Sequence, residues 1–97
     1  MARLDNEVTL RQALTALLNR PNLKTGYRLS RIQTAWPRIF GPTVALYTRS
    51  MTIDRRRLFI AIESAPLRDR LSRMREELRV RLNEELGEEY LKEVVVR

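Results

Sequence analysis

Apolar positions along the chain repeat with two different periods, and the changes of period divide it into elements. Leu10, Ala13, Leu14, Leu17 and Leu18 follow helical spacing. They are introduced by Thr9-Leu10-Arg11-Gln12, a capping box in which the Thr9 hydroxyl takes the N3 amide and Gln12 reaches back. The pattern predicts a helix over 9–19. Arg20-Pro21-Asn22 breaks it, and Leu29, Ile32, Trp36 and Phe40 then recur at i, i+3, i+7 and i+11, which predicts a second helix over 25–40. Pro37 removes one amide inside that stripe, so a kink or short break is expected before Gly41 ends the element. Trp36 shares the register of Leu29 and Ile32 and is therefore expected in the core rather than at a binding surface.

From Thr43 the period falls to two. Val44, Leu46 and Thr48 alternate with Ala45, Tyr47 and Arg49, and Leu58-Phe59-Ile60-Ala61-Ile62 alternates again after the polar interruption Asp54-Arg55-Arg56-Arg57. Two strands near 43–50 and 58–64, paired as a hairpin with a cationic tip, are predicted. Ser64 can cap and Pro66 can begin a third helix, whose Leu67, Leu71, Met74, Leu78, Leu82 and Leu86 form one stripe up to Gly87. Leu91 to Val96 completes the chain as a third strand. The reading is a single α+β domain over 1–97 in the order α-α-β-β-α-β, a three-stranded antiparallel sheet with helices packed on one face.

Charge adds a partner to this picture. The 97 residues hold 19 Lys+Arg against 12 Asp+Glu, a formal net charge of +7. Residues 1–62 contain 11 basic and 3 acidic side chains while residues 63–97 contain 8 and 9, so the whole excess lies in the first two thirds. Between Glu7 and Asp54 no acid occurs. Seventeen of the cations are Arg, whose planar fork grips phosphate bidentately and whose face stacks on bases. Such a segment suits a polyanion. With no Cys and no His, disulfides, thiolate nucleophiles, zinc fingers and Ser-His-Asp triads are excluded, and no phosphate-cradling Gly loop or metal-carboxylate spacing is present. The chain therefore reads as non-enzymatic, with no cofactor and no metal. The longest uncharged run, Ile39 to Thr48, is ten residues and contains Gly41 and Pro42, too short for a membrane span of ~17–25 residues, and the N-terminus lacks the apolar stretch of a secretory signal. A cytoplasmic protein without a membrane partner is expected.

Placed on the predicted elements, the cations suggest a surface. Arg55, Arg56 and Arg57 would repel one another at the hairpin tip unless an anion neutralises them. Lys24, Arg28 and Arg31 fall in or beside the second helix. Tyr47 and Arg49 would share a sheet face with Phe59 and supply the aromatic and guanidinium set that sequence-tolerant base stacking uses. On the third helix Arg68, Arg75 and Arg79 sit among Glu76 and Glu77, which reads as a solvated, salt-bridged face.

Several segments together resemble a bacterial family. Trp36-Pro37-Arg38-Ile39-Phe40-Gly41-Pro42, Ala45-Leu46-Tyr47-Thr48, Leu58 to Ser64, Leu67 to Leu71, Leu82-Asn83-Glu84-Glu85-Leu86-Gly87 and the closing Val94-Val95-Val96-Arg97 are similar, in that order, to domain of unknown function 721, the family of the DciA-type replicative helicase loaders. The resemblance runs from the first helix to the C-terminus. It implies a KH-like domain that binds single-stranded or forked DNA and assists the replicative helicase, although no Gly-x-x-Gly loop of the true KH type occurs. A KH-like RNA-binding module and a protein adaptor whose charge is incidental are the alternatives; preference for RNA over DNA of equal sequence separates the first, and absence of salt-dependent binding the second.

Overall fold

The structure, a computed structural model, describes Leu10, Gln12 and residues 21–97. The helix expected over 9–19 lies outside the described residues, save for Leu10 and Gln12. Helix α1 spans Pro21–Phe40 and α2 Pro42–Leu46; strands β1 (Thr48–Asp54) and β2 (Arg57–Ile62) follow, then helices α3 (Ala65–Arg73) and α4 (Arg75–Leu86) and strand β3 (Glu93–Val96). Pro21 takes the helix start, where its missing amide costs nothing. The helix runs through Pro37 to Phe40, so the expected break is instead at Gly41, whose φ of 95° is open to glycine and closed to most other residues.

The strand expected over 43–50 is corrected in its first half. Gly41 turns the chain, Pro42 supplies a preset φ at the first helical position, and Pro42–Leu46 forms a short helix. β1 begins only at Thr48. The single predicted third helix is also two: Met74, at φ −102° and ψ 15°, interrupts it, its amide bonding Leu71 O at 3.0 Å. Ser64 caps α3 as expected, its hydroxyl accepting from the Leu67 amide.

The sheet has the order β1-β2-β3 and is mixed rather than antiparallel. β1 and β2 pair antiparallel, Met51 opposite Ile60 and Ile53 opposite Leu58, whereas β2 and β3 are parallel, Leu58 beside Val94 and Ile60 beside Val96. The reason is the connection. A two-residue turn reverses the chain, but the helical crossover through α3 and α4 carries it back to the end of the sheet where β2 began, which makes the returning strand parallel.

Alternation sends Met51, Leu58, Ile60, Ile62 and Val94 to one face, where they close a core with Ile32 and Trp36 of α1, Leu71 of α3 and Leu78, Leu82 and Leu86 of α4. Trp36 is 2% exposed, as its register predicts. Its Nε1 donates to Thr48 Oγ1 at 2.9 Å, and that hydroxyl donates to Val44 O at 2.7 Å, so the buried indole is satisfied and α1, α2 and β1 are joined through one side chain. Asn83 does the same for α4 and β3. It is 2% exposed, donates to Leu91 O at 3.1 Å and accepts from Leu91 N at 2.8 Å, fixing the backbone just before the last strand.

Candidate nucleic-acid interface

The hairpin turn is built from Asp54 to Arg57 with φ of 53° at Arg55 and 64° at Arg56. Positive φ at both central positions is what a type I′ turn requires, and its twist matches the strands it joins. Asn-Gly is the usual solution; two Arg residues there each cost about 1–2 kcal/mol of left-handed strain. The three tip cations nonetheless diverge, because the turn and the strand alternation aim them differently. Arg55 is exposed and makes no ion pair among the described residues. Arg56 folds back, Nε donating to Tyr90 O at 2.8 Å and Nη2 to Glu89 O at 2.9 Å, with its guanidinium 5.3 Å from the Tyr90 ring centre. Arg57 lies 5.2 Å over the Phe59 ring, with Asp54 3.9 Å away.

The sheet face opposite the helices contributes the next part. Thr52, Phe59 and Val95 stand side by side across β1, β2 and β3, and none belongs to the core. Arg97 lies 4.7 Å from the centre of the same Phe59 ring that Arg57 approaches, so two guanidinium groups share one aromatic ring. Asp54 and Glu93 flank Arg57 in the row nearest the turn. Arg97 was not singled out in the sequence. Its signal was the two-residue period of the last strand, which places it on the face of Val95.

The α1 cations occupy a different surface and are largely compensated. Arg28, its side chain 13% exposed, binds the Glu88 carboxylate through Nε at 2.8 Å and Nη2 at 3.1 Å and stacks 3.8 Å over Tyr90. That hydrogen bond raises the Arg28 pKa and holds the Glu88 carboxyl below the usual carboxylate range, with Lys24 and Arg56 adding to the field on Glu88. Arg31 donates to Glu85 O at 2.7 Å, satisfying a carbonyl in the last turn of α4. Arg38 pairs with the Glu85 carboxylate. Lys24, Arg28 and Arg56 thus act together on Glu88, and Arg28 and Arg56 also hold Tyr90, a grouping that sequence separations of more than thirty residues concealed.

Tyr47 and Arg49 stand apart from that cluster and from Phe59. Tyr47 caps the C-terminus of α2 and lies outside the strand, and Phe59 faces Thr52 instead. Arg49 is the unpaired residue of a bulge between Thr48 and Ser50, exposed beside Gln33 and Pro37 of α1. The length of β1, about 20 Å at ~3.4 Å per residue, separates both from the turn.

The expected charge-balanced face is partly structural. Arg68 donates to Ile62 O from Nε and Nη2 at 3.2 and 2.9 Å, closing the end of β2. Arg79 pairs with Glu76 at 2.5 Å and reaches Glu89 at 3.5 Å; the hydrogen bond between Arg79 and Glu76 raises the former's pKa and lowers the latter's.

With this geometry in place, a model of the family described as Dna[CI] antecedent, DciA, matches residues 9–96. The chain belongs to the DciA family. That family is linked to loading of the bacterial replicative helicase, which gives this chain an accessory role in DNA replication alongside the helicase. No curated protein and no solved structure matches the chain significantly. Among the described residues no helix of this DciA-family chain is long and apolar enough to cross a membrane.

Proposed function

We propose that this protein is a non-catalytic, cytoplasmic DNA-binding accessory whose single KH-like domain spans 1–97 and holds single-stranded or forked DNA while the replicative helicase is loaded. The observation that carries the reading is Phe59 with the guanidinium groups of Arg57 and Arg97 against its ring, on the face of the sheet that no described helix covers. A base stacking over this set gains aromatic and guanidinium faces already fixed in place, and sequence-tolerant stacking is worth about 1–3 kcal/mol per base. Arg55 at the turn, and Arg57 and Arg97 beside Phe59, supply phosphate contacts. Arg49 and Tyr47 extend the track along β1 to the far end of the sheet. Lys24 and Arg31 on α1 meet a strand wrapping past the turn, while Arg28 and Arg56 shape the surface by holding Tyr90. Four to six phosphate contacts give a log-log salt slope of about −3 to −4 for single strands, at roughly −0.7 per contact.

Fluorescence anisotropy with a labelled oligothymidylate tests this. Phe59→Ala, or Arg57→Ala combined with Arg97→Ala, should weaken binding by about 5- to 150-fold, the range that 1–3 kcal/mol represents. Wild-type affinity in these variants, or a flat salt response in the parent, would refute the reading. Tighter binding to RNA of equal sequence would move the function to the RNA module, since only the 2′-OH distinguishes the two ligands.

A further inference from the structure

The sheet face leaves unused a second surface on the helical side. A groove of about 380 Å³ opens where the end of α1, the short α2 and α3 meet. Phe40, Val44, Leu67, Leu71 and Met74 line it, and Leu71 forms its floor at 3% exposure. Its size lies within the ~300–1,000 Å³ of sites that seat organic groups. The exposed Leu46, 78% accessible, continues the apolar surface along α2.

Charge at the rim has one sign. Arg70 lines the groove, and Arg81 lies 5.3 Å over the ring of Phe40. Among the described residues neither makes an ion pair and no acidic side chain lines the groove. A nucleic-acid strand does not fit this chemistry. The aliphatic floor offers no stacking surface, and the one aromatic ring, Phe40, packs against Trp36 at 4.6 Å between centroids. What fits is a peptide that is apolar on one side and acidic beside it: Leu, Ile or Phe anchors in the groove, Asp or Glu against Arg70 and Arg81. Met and Leu at the lining suit helix-in-groove recognition, because their soft side chains repack around the anchors.

We infer that this groove docks an acidic-flanked amphipathic helix of the replicative helicase, opposite in chemistry to the DNA surface and separable from it. The choice of helicase as the source rests on the proposed loading role; the groove's chemistry does not. Docking puts the helicase on the helical side, away from Phe59 and the turn, so one copy of the chain holds both partners at once.

Binding of the purified helicase from the same bacterium to the full chain, read by biolayer interferometry, tests the inference beside oligothymidylate anisotropy. Arg70→Glu with Arg81→Glu reverses the rim and touches no core side chain. Leu67→Asp places a carboxylate in the groove. Both variants should lower helicase affinity at least tenfold and leave DNA affinity within twofold. Should Leu67→Asp fail to fold, the rim reversal decides alone. Unchanged helicase affinity in the rim variant overturns the inference, as does loss of DNA with helicase binding intact. A parent chain that binds DNA but no helicase overturns docking and leaves the DNA reading standing. A parent that binds helicase but no DNA, with both variants impaired, supports the groove while removing the DNA reading.

Discussion

Asn83 offers the sharpest test of how the binding surface is held, because the whole effect is confined to two hydrogen bonds. Its amide is 2% exposed and clamps Leu91, itself 2% exposed, on both the N–H and C=O sides. Asn83→Ala orphans a buried amide proton, at about 1–3 kcal/mol, whereas the Leu91 carbonyl keeps a long contact from Arg79 Nη1 at 3.4 Å and loses only about 0.5–1.5 kcal/mol. The combined cost is about 3 kcal/mol. At ~4–8 °C per kcal/mol for a domain of this size, Tm should fall by ~12–24 °C in a circular-dichroism melt. Asn83→Asp sharpens the test. Its carboxyl still accepts from Leu91 N but donates to the carbonyl only when protonated, and burial raises its pKa. Its folded-state pKa then lies above the unfolded one, so the variant should be most stable in acid and lose that stability as pH rises through the folded value. A loss under 1 kcal/mol for Asn83→Ala, or no pH dependence for Asn83→Asp, would show that packing rather than the clamp positions β3.

Thr48→Val removes the acceptor of Trp36 Nε1 and should cost about 1–3 kcal/mol in urea unfolding, more than its buried area alone accounts for; a neutral result would mean that water replaces the hydroxyl. Glu88 has its folded pKa depressed chiefly by the hydrogen bond from Arg28, so its contribution is present above the unfolded value near 4.5 and is lost as pH falls through the folded one. Glu88→Gln should therefore flatten the acid limb of the stability curve, and an unchanged limb would exclude this pair as its source. Replacing Arg55, Arg56 and Arg57 together should lower Tm as well as DNA affinity, because Arg56 holds the 89–90 backbone, whereas Arg55→Ala alone should lower affinity and leave Tm unchanged. Equal melting of the two variants would contradict the role given to Arg56.

How far the chain could be read beforehand depended on whether the deciding interaction was local. The stripe Leu29, Ile32, Trp36 and Phe40 and the alternation of β2 carry their periods in adjacent residues, and both elements lie where those periods put them. Thr43 to Leu46 is too short for a period to discriminate helix from strand, and the decision falls to Gly41 and Pro42 in front of it. The break at Met74 has no Gly or Pro to announce it, and Arg73-Met74-Arg75 is good helix sequence. The parallel β3 followed from the helical crossover, a topological fact rather than a compositional one.

The same division governs the site. Charge counted by segment showed an acid-free stretch rich in Arg, yet folding brings Glu85 and Glu88 onto Arg38 and Arg28, so much of the apparent excess on α1 is spent internally. The turn was legible as cationic, but not the separate fates of its three residues, which depend on positive φ and on a tyrosine more than thirty positions away. Phe59 was placed on the right face with the wrong neighbours, since the bulge at Arg49 and the helix at 42–46 removed the expected pair from its row.

The indole described above is the chain's only tryptophan, which makes it a reporter already installed. Its ring touches Phe40 at the wall of the apolar groove, while its nitrogen is tied to the first residue of β1, a strand's length of about 20 Å from the cationic turn. Emission excited at the indole band should consequently shift when a peptide enters the groove and stay constant when an oligonucleotide contacts the turn alone, whereas a strand that reaches Arg49, which shares a pocket with Trp36, should perturb it. An unlabelled sample can thus report entry of a partner into the groove, and the same titration repeated at saturating oligonucleotide asks whether both are held together.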